Sequence, residues 1–465
     1  MAFVEVAANT LDDAYSIENS VRFNVGDSPH LEITPSSTGD EQKWTFSTWV
    51  KRCGVTSSND LVLIGAFTTN SDNQCGIVLR GTGDNCKLQS FCAISGTANN
   101  GYNFETSQVF RDPAAWYHIV IATDTTQSTN TNGIKFYVNG SQITSFGATT
   151  YNQNINTQFN TASSKMQVGA RASDDAQELD GYLADTYWID GSQLTASDFG
   201  KTDSNGVWIP KKASPTFGTN GFKLEYQQTG TSANASGIGA DTSGNGNHLT
   251  PTNLAATDIT TDTPTNNFAT LNPLSNSLQA SYSEGNLDEA CNDNYGVGAT
   301  QAFANGKWYW EVKIKAGDNN LVGIANADEQ DRFTTVFGIN NYSPTVYGVN
   351  GMIIREGSNV EDVDDTYGAN DIVGVAVDMD SGTRTVQFYK NGSAFGSAAT
   401  LPTNWGLTLP MIRKGGSSQT SSFNFGNPAF SISSGNADEN GYGNFEYSVP
   451  SGFYALCTKN LAEFG

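Results

Sequence analysis

The sequence predicts an all-β protein made of two tandem β-sandwiches, and three observations lead there. Charged residues fill only 15% of the 465 positions, while aromatics reach 11%, alongside 48 Gly and 13 Pro. Large apolar side chains between frequent turn formers describe many short strands joined by loops, with enough apolar surface for more than one core. Helical period is nearly absent, and the best candidate helix, Ser192 to Lys201, is short. The third observation is a sub-motif written once in each half.

Residues 1–12 read as an N-terminal arm. Residues 13–227 carry apolar, β-branched and aromatic runs at Ser20–Phe23, Leu31–Thr34, Trp44–Lys51, Leu61–Phe67, Trp116–Ala122, Ile134–Val138 and Gly181–Ile189. Residues 228–275 are poor in aromatics and rich in Thr, Asn, Gly and Ser, the composition of a linker or extended connection. Strands resume in residues 276–465, at Lys307–Lys315, Asn320–Ala325, Ile372–Asp378, Thr385–Lys390 and Ser422–Phe425.

The repeated sub-motif joins these halves. Ile134–Val138, Asn139-Gly140 and Ser141–Ile143 match Val386–Lys390, Asn391-Gly392 and Ser393–Phe395. Asn-Gly suits a two-residue type I′ turn, because both central residues need positive φ, so each copy reads as a tight hairpin. Upstream of each lies another strand ending in Asp, at Asp124 and at Asp378. Two domains of related topology follow, not a short-period array.

Composition excludes several classes. With 24 Lys plus Arg against 47 Asp plus Glu, net charge is −23, and such a surface repels phosphate backbones; no nucleic-acid partner is expected. No apolar run approaches the ~20 residues that span a bilayer, so no membrane insertion is expected. The first ten residues lack a basic region and a sustained apolar stretch, so no signal peptide is read. The six cysteines, at 53, 75, 86, 92, 291 and 457, form no CxxC pair and have no His at metal-ligand spacing; free thiols in a chain made in the cytoplasm are the simplest reading.

At Ser20–Phe23, Trp44–Arg52, Trp116–Val120, Tyr137–Gly140 and Asp180–Asp185, the first half resembles the laminin-G-like branch of the concanavalin A-like superfamily. At Gly306–Val312, Leu321–Ile324, the strand Val373–Asp378 with the hairpin Phe388–Gly392, and Phe423–Gly426, the second half resembles a SPRY domain. The resemblance implies two concanavalin A-like jelly-roll sandwiches. The bridge Asp241–His248, followed by Asp262–Phe268 and Leu271–Leu274, resembles virion proteins of marine tailed bacteriophages. What this implies is a tail fibre, tail spike or capsid appendage, made in the host cytoplasm and located in the virion. Its partners would be other virion proteins and a glycan or protein of the host surface, and the usual symmetry of such fibres would make it a homo-oligomer, a trimer. A purely structural head-decoration or tail-connector role is the alternative within a particle; a bacterial carbohydrate-binding module or adhesin is the alternative of another class.

Catalysis finds little support. Laminarinase-type relatives carry two acids on one strand, and retaining chemistry needs carboxyls roughly 5–5.5 Å apart. Glu178-Leu179-Asp180 begins such a pattern, but Gly181, Tyr182 and Leu183 supply no third acid, and Glu361–Asp365 reads as a solvated loop. His118 sits inside an apolar strand, where a packed structural role is expected, and no Ser-His-Asp arrangement appears. No enzyme is expected.

No cofactor is required, with calcium the one ion weighed. Asp241-x-Ser243-x-Asn245-Gly246 matches the first half of a calcium loop, but Thr252 stands where the bidentate carboxylate belongs, and an Asn/Gly turn closed by its own hydrogen bonds is the competing reading. Asp174, Asp175, Glu178 and Asp180 form a second acidic candidate against an exposed loop. For recognition, the resemblance places the ligand face in loops at one end of the second sandwich. Tyr342, Tyr347, Tyr367 and Trp405 there would stack on sugars, and Arg332, Arg355 and Arg413 would pair with carboxylates. Core or loop packing is the plainer role for each aromatic.

Overall fold

Both Asn-Gly pairs turn as their composition requires in the computed structural model. Asn139 and Gly140 have φ of 46° and 80°, and Asn391 and Gly392 have 48° and 79°. Val138 pairs with Ser141 and Lys390 with Ser393, so each loop holds only the Asn-Gly pair. Each Asn side chain then ties the hairpin to the preceding strand. Asn139 Oδ1 accepts from the His118 N–H at 2.8 Å, and Asn391 Oδ1 from the Ile372 N–H at 2.9 Å. The same turn, locked the same way, occurs in both halves.

The structure describes residues 15–54, 60–67, 73–81, 85–95, 97–162, 164–172, 174–275, 280–291, 296–317, 319–327, 345–347, 351–355, 358–363, 365–401, 405–414 and 419–465. They fall into two compact units, Leu11–Thr265 and Asn266–Gly465. Among the described residues no helix is long and apolar enough to cross a membrane.

The first unit is a sandwich of two sheets. One runs in the order Ser141–Ile143, Ile134–Val138, Trp116–Asp124, Lys43–Arg52, Gly181–Asp190, Ser20–Phe23, Ile259–Thr260, with Phe222–Leu224 also pairing with Gly181–Asp190. The other runs Phe146–Tyr151, Thr97–Val109, Lys87–Ile94, Gln74–Arg80, Leu61–Phe67, Lys165–Val168, His30–Ile33, Thr250–Thr252. Alternate residues of both sheets meet between them, where Trp44, Phe46, Val50, Ile77, Leu88, Phe104, Phe136 and Trp188 form the core.

The second unit repeats this plan. One sheet runs Ala280–Ser283, Asp288–Cys291, Gln419–Asn424, Lys307–Ala316, Ile372–Asp378, Thr385–Lys390, Ser393–Thr400. The other runs Gly296–Gly298, Thr408–Lys414, Asn320–Asn326, Thr345–Tyr347, Met352–Arg355, Ser358–Asp362. Trp308, Trp310, Val375, Phe388, Ile412 and Phe423 fill the space between. The fold is all-β and two-sandwiched.

Three expectations change. Ser192 to Lys201 forms only a 3-10 turn at Ala196–Asp198, held by the Thr195 N–H on Asp198 Oδ2 at 2.8 Å, before Gly200–Thr202 turns extended. Apolar residues there face the sheet, but too few recur to sustain a helix.

The stretch 228–275 does not stand free as a connection. Thr250–Thr252 and Ile259–Thr260 extend the two sheets, and Ile238, Leu249 and Leu254 are buried in the first core. Each such Leu contributes roughly 1.5–3 kcal/mol. Isolated apolar anchors between turns leave no period in the sequence, yet they wrap the segment onto the sandwich.

Not every thiol is free. Cys75 and Cys92 form a disulfide, whereas Cys53, Cys86 and Cys457 are free and buried. Cys75 and Cys92 stand directly opposite each other on antiparallel strands, with Cα atoms 4.0 Å apart. Register of this kind is invisible in sequence spacing.

Candidate functional site

The two sheets of the first unit have different outer faces. Outside the sheet containing Lys43–Arg52, Trp49, Trp116 and Tyr182 pack with Ile17, and Val120, Tyr137, Tyr187 and Ile189 pack with Ala196, Phe199 and Phe217. That face is sealed by the chain's own flanking segments.

The other sheet turns polar residues outward. In Lys87–Ile94, Leu88 and Cys92 enter the core, so Gln89 and Phe91 point away from it. Strand register carries this position across the sheet as one row: Thr150, Asn103, Phe91, Gly76, Gly65, Gln167, Glu32 and Thr250. Phe91 is half-buried, and a Cβ at Gly76 would stand 2.9 Å from its Cε1. The ring therefore rests on the neighbouring strand where glycine leaves room.

Beside it runs a chain of oriented donors. Arg80 donates from Nη1 to Gln89 Oε1 at 3.1 Å, and Gln89 Nε2 donates to Asn103 Oδ1 at 2.7 Å. Because guanidinium only donates, this order fixes both amides. Asn103 Nδ2, next to Phe91, donates to nothing else among the described residues. Lys87 and Glu105 neutralise one another at 2.9 Å. A flat ring flanked by an oriented amide and the Thr150 hydroxyl can receive a neutral, hydroxyl-rich ring: apolar C–H face on the aromatic, hydroxyls on the amide.

The acidic candidates are engaged by protein groups. Asp241 accepts from the Lys223 and Ser243 N–H groups on Oδ1 at 2.9 and 2.8 Å, and from Ser243 Oγ and the Asn247 N–H on Oδ2, both at 2.9 Å. Asn245 Nδ2 donates to the carbonyls of Gly218 and Gly221. The loop is thus closed by its own hydrogen bonds. Asp174 pairs with Arg171, and Asp175 accepts from Lys165 Nζ at 2.9 Å and Gln167 Nε2 at 2.7 Å. Glu178 and Asp180 precede the strand Gly181–Asp190 instead of lying on it, and the Asp180 carbonyl accepts from the Cys53 N–H at 2.9 Å. No three of His, Cys, Asp and Glu converge on a metal position among the described residues.

The one Ser-His contact among the described residues is arranged against nucleophilic chemistry. Trp208 Nε1, which can only donate, gives its proton to His118 Nδ1 at 3.0 Å, so the ring proton sits on Nε2 and donates to Ser47 Oγ at 3.0 Å. That nitrogen cannot take the Ser47 proton. The ring stacks on Trp49 with centroids 4.8 Å apart, and burial pulls its pKa down to about 3. His118 is a neutral packing residue.

Residues 25–198 match the laminin-G family model described as the concanavalin A-like lectin/glucanases superfamily, and residues 307–428 match the SPRY domain model. The chain carries a concanavalin A-like domain followed by a SPRY domain. Domains of these kinds typically bind rather than catalyse. Among solved structures, similar ones include the SPRY domain of human HERC1, with 13% identity, 33% of this chain and 96% of that chain covered and a TM-score of 0.26. Others are the TRIM65 PSpry domain, with 16% identity, 34% and 91% covered and a TM-score of 0.28, and a native heptameric SAP-like pentraxin from Limulus polyphemus, with 15%, 39%, 80% and 0.28 respectively. No curated protein matches the chain.

The SPRY-domain residues expected to meet a ligand separate into two groups. Tyr367 is 2% exposed, with its hydroxyl on the Asn320 carbonyl at 2.8 Å, and Trp405 is 2% exposed within the core. Neither can stack on an outside sugar, because both rings plug the interior beneath the loops that carry them. Arg413 lies in a strand paired on both sides and is 8% exposed, and burial lowers its pKa; it is no rim cation. Tyr347 and Arg355 end the strands Thr345–Tyr347 and Met352–Arg355, with side chains outside the described set, and Arg332 and Tyr342 lie outside the described residues. The row around Phe91 was missed. Its signal was present: Phe91 is the one large apolar residue at a polar beat of an alternating strand.

Proposed function

We propose that this chain is a non-enzymatic virion surface protein, a tail fibre, tail spike or capsid appendage, that binds a neutral glycan of the host envelope through the outward row of its concanavalin A-like domain. The observation that carries the reading is the half-buried Phe91 ring lying over Gly76 beside the oriented Asn103 amide. The net charge of −23 disfavours an anionic glycan, while paired Lys87 and Glu105 cancel one another beside the row. The ordered motifs of the bridge Asp241–His248 and Asp262–Phe268 support the virion setting. Weak single sites suffice when several copies act together.

The test is competition. Saturating soluble protein is expected to reduce particle adsorption to host cells, Phe91→Ala protein is expected to do so poorly, and an antibody to the chain is expected to label intact particles. Unchanged adsorption with labelled particles would favour the structural role, and unlabelled particles would remove the virion setting.

A further inference from the structure

We infer that Lys223 and Asp185 condense into an intramolecular isopeptide bond that staples the strand Phe222–Leu224 to Gly181–Asp190, with Glu225 carrying the protons. The three side chains meet on the outer face of the sheet and are largely covered, at 11% exposed for Lys223, 3% for Asp185 and 23% for Glu225. Lys223 Nζ lies 3.5 Å from Asp185 Oδ1 and 2.7 Å from Glu225 Oε1. The bond does not depend on glycan recognition.

A strand irregularity delivers Asp185 to that face. Leu183 and Trp188 point into the core, whereas Ala184 and Tyr187 pack outside the sheet. Regular alternation would send residue 185 inward. Instead, the pairing with Lys43–Arg52 shifts register between Ala184 and Tyr187, and Asp185 takes a left-handed φ of 47°. The extra residue turns its carboxylate outward, where the Tyr187 hydroxyl donates to Oδ2 at 3.1 Å. Bulges re-aim side chains, and a backbone held in a sparsely populated conformation is a pointer to chemistry. Lys223 pairs directly with Tyr187, which makes Asp185 its diagonal neighbour across the strands.

Two aromatic rings enclose the ammonium. Nζ is 5.4 Å from the Tyr15 ring centroid and 5.2 Å from that of Tyr187. The Tyr15 hydroxyl reaches Asp185 Oδ1 at 3.2 Å and Glu225 Oε1 at 3.3 Å, so it links the two acids. One cation thus faces two anions in a largely covered place, an unbalanced arrangement for a plain ion pair. Condensation removes the Lys223 and Asp185 charges together. It leaves a charge only on Glu225, the most exposed of the three.

The step balances without a co-reactant. Lys223 Nζ attacks Asp185 Cγ and the Cγ–Oδ1 bond breaks. Oδ1 leaves as water with two of the ammonium protons, and the third stays on the new amide. Oδ2 remains as the amide oxygen, facing the Tyr187 hydroxyl. Until the bond closes, burial holds the Asp185 carboxyl up at about 6, so a protonated fraction exists near neutral pH. Burial alone would lower the Lys223 pKa, but Asp185, Glu225 and Tyr15 outweigh it and raise it, so a base must take the proton. Glu225 is that base: burial raises its carboxyl, but the contacts from Lys223 hold it below its usual range and ionised. Fixing amine and carboxyl side by side supplies the proximity, and excluding water disfavours the reverse hydrolysis.

The intact mass of the reduced full chain tests it. Wild type is expected to be one water lighter than its sequence requires. Trypsin is expected to leave the chain uncut after Lys223, with that peptide joined to the peptide 172–201 that holds Asp185. Lys223→Arg keeps the positive charge but offers no amine, and is expected at its full sequence mass. Glu225→Gln, which cannot take the proton, is expected to be mostly unlinked yet folded by circular dichroism. Wild type at its full sequence mass after prolonged incubation would overturn the inference. So would a water loss that persists in Lys223→Arg, as dehydration at Asp180-Gly181 or Asp190-Gly191 would give. Linking as complete in Glu225→Gln as in wild type would overturn the role given to Glu225. The wild-type mass and joined peptide decide the bond even where a variant fails to fold.

Discussion

Replacing Asp262 by Asn should unfold much of what holds the concanavalin A-like domain closed. Lys51 Nζ and Asp262 Oδ2 are 2.8 Å apart with both side chains 0% exposed. Trp116 Nε1 donates to the other carboxylate oxygen at 3.2 Å, and Ser20 Oγ donates to the Asp262 carbonyl at 2.6 Å. Asn fits the space but leaves the Lys51 ammonium buried without its countercharge. Breaking one side of a buried pair costs about 3–5 kcal/mol, against roughly 5–15 kcal/mol for a whole domain. For a unit of this size that is a fall of roughly 6–20 °C in Tm. Calorimetry of the full chain should show the loss in one transition, with the SPRY-domain transition unmoved. The double variant Lys51→Met with Asp262→Leu should recover most of it, since an apolar pair replaces the ion pair at little net cost. A loss under about 1 kcal/mol in Asp262→Asn, or a double variant worse than the single, would refute the idea that residues 249–265 are integral to the first core.

His118→Phe is expected to destabilise near neutral pH, because Ser47 and Trp208 lose their partner. The gap to wild type should then narrow as pH falls. The neutral ring's contribution is complete above about 6.5 and is lost as pH drops toward 3, at about 1.36 kcal/mol per unit, or about 2.7 kcal/mol by pH 4.5. Asp185, pushed up to about 6 by burial, acts oppositely, its penalty above pH 6 relaxing as pH falls, and it cancels in the difference. Asp241→Ala should lower Tm equally with calcium and with chelator, since four internal donors occupy its oxygens; a calcium-dependent rise in wild-type Tm would contradict that shell. Glu311→Gln should expose residues 430–450 to protease, because its carboxylate accepts from the Glu446 and Tyr447 N–H groups at 2.9 and 2.8 Å and holds that segment on the sheet. The expected cost is about 1–3 kcal/mol.

What the sequence revealed follows from what is local. Strands such as Leu61–Phe67 and Ile372–Asp378, and both Asn-Gly hairpins, could be read because side-chain alternation and turn chemistry act over a few residues. The wrapping of Leu249, Leu254 and Asp262 onto the first core could not, since each is a lone anchor whose partners lie far away in sequence. Tyr367 and Trp405 sit in loops by sequence but face inward, because a sandwich needs large side chains to plug its ends. The outward row needed register: Thr150, Asn103 and Phe91 become neighbours only when three strands are paired.

Screening the purified chain against neutral oligosaccharides, wild type beside Phe91→Ala and Asn103→Ala, bears most directly on recognition by that row. We expect measurable binding that falls roughly ten-fold, about 1.4 kcal/mol, when the ring is removed, with melting unchanged. Binding left intact by both substitutions would show that sugars, if bound, are held elsewhere on the molecule.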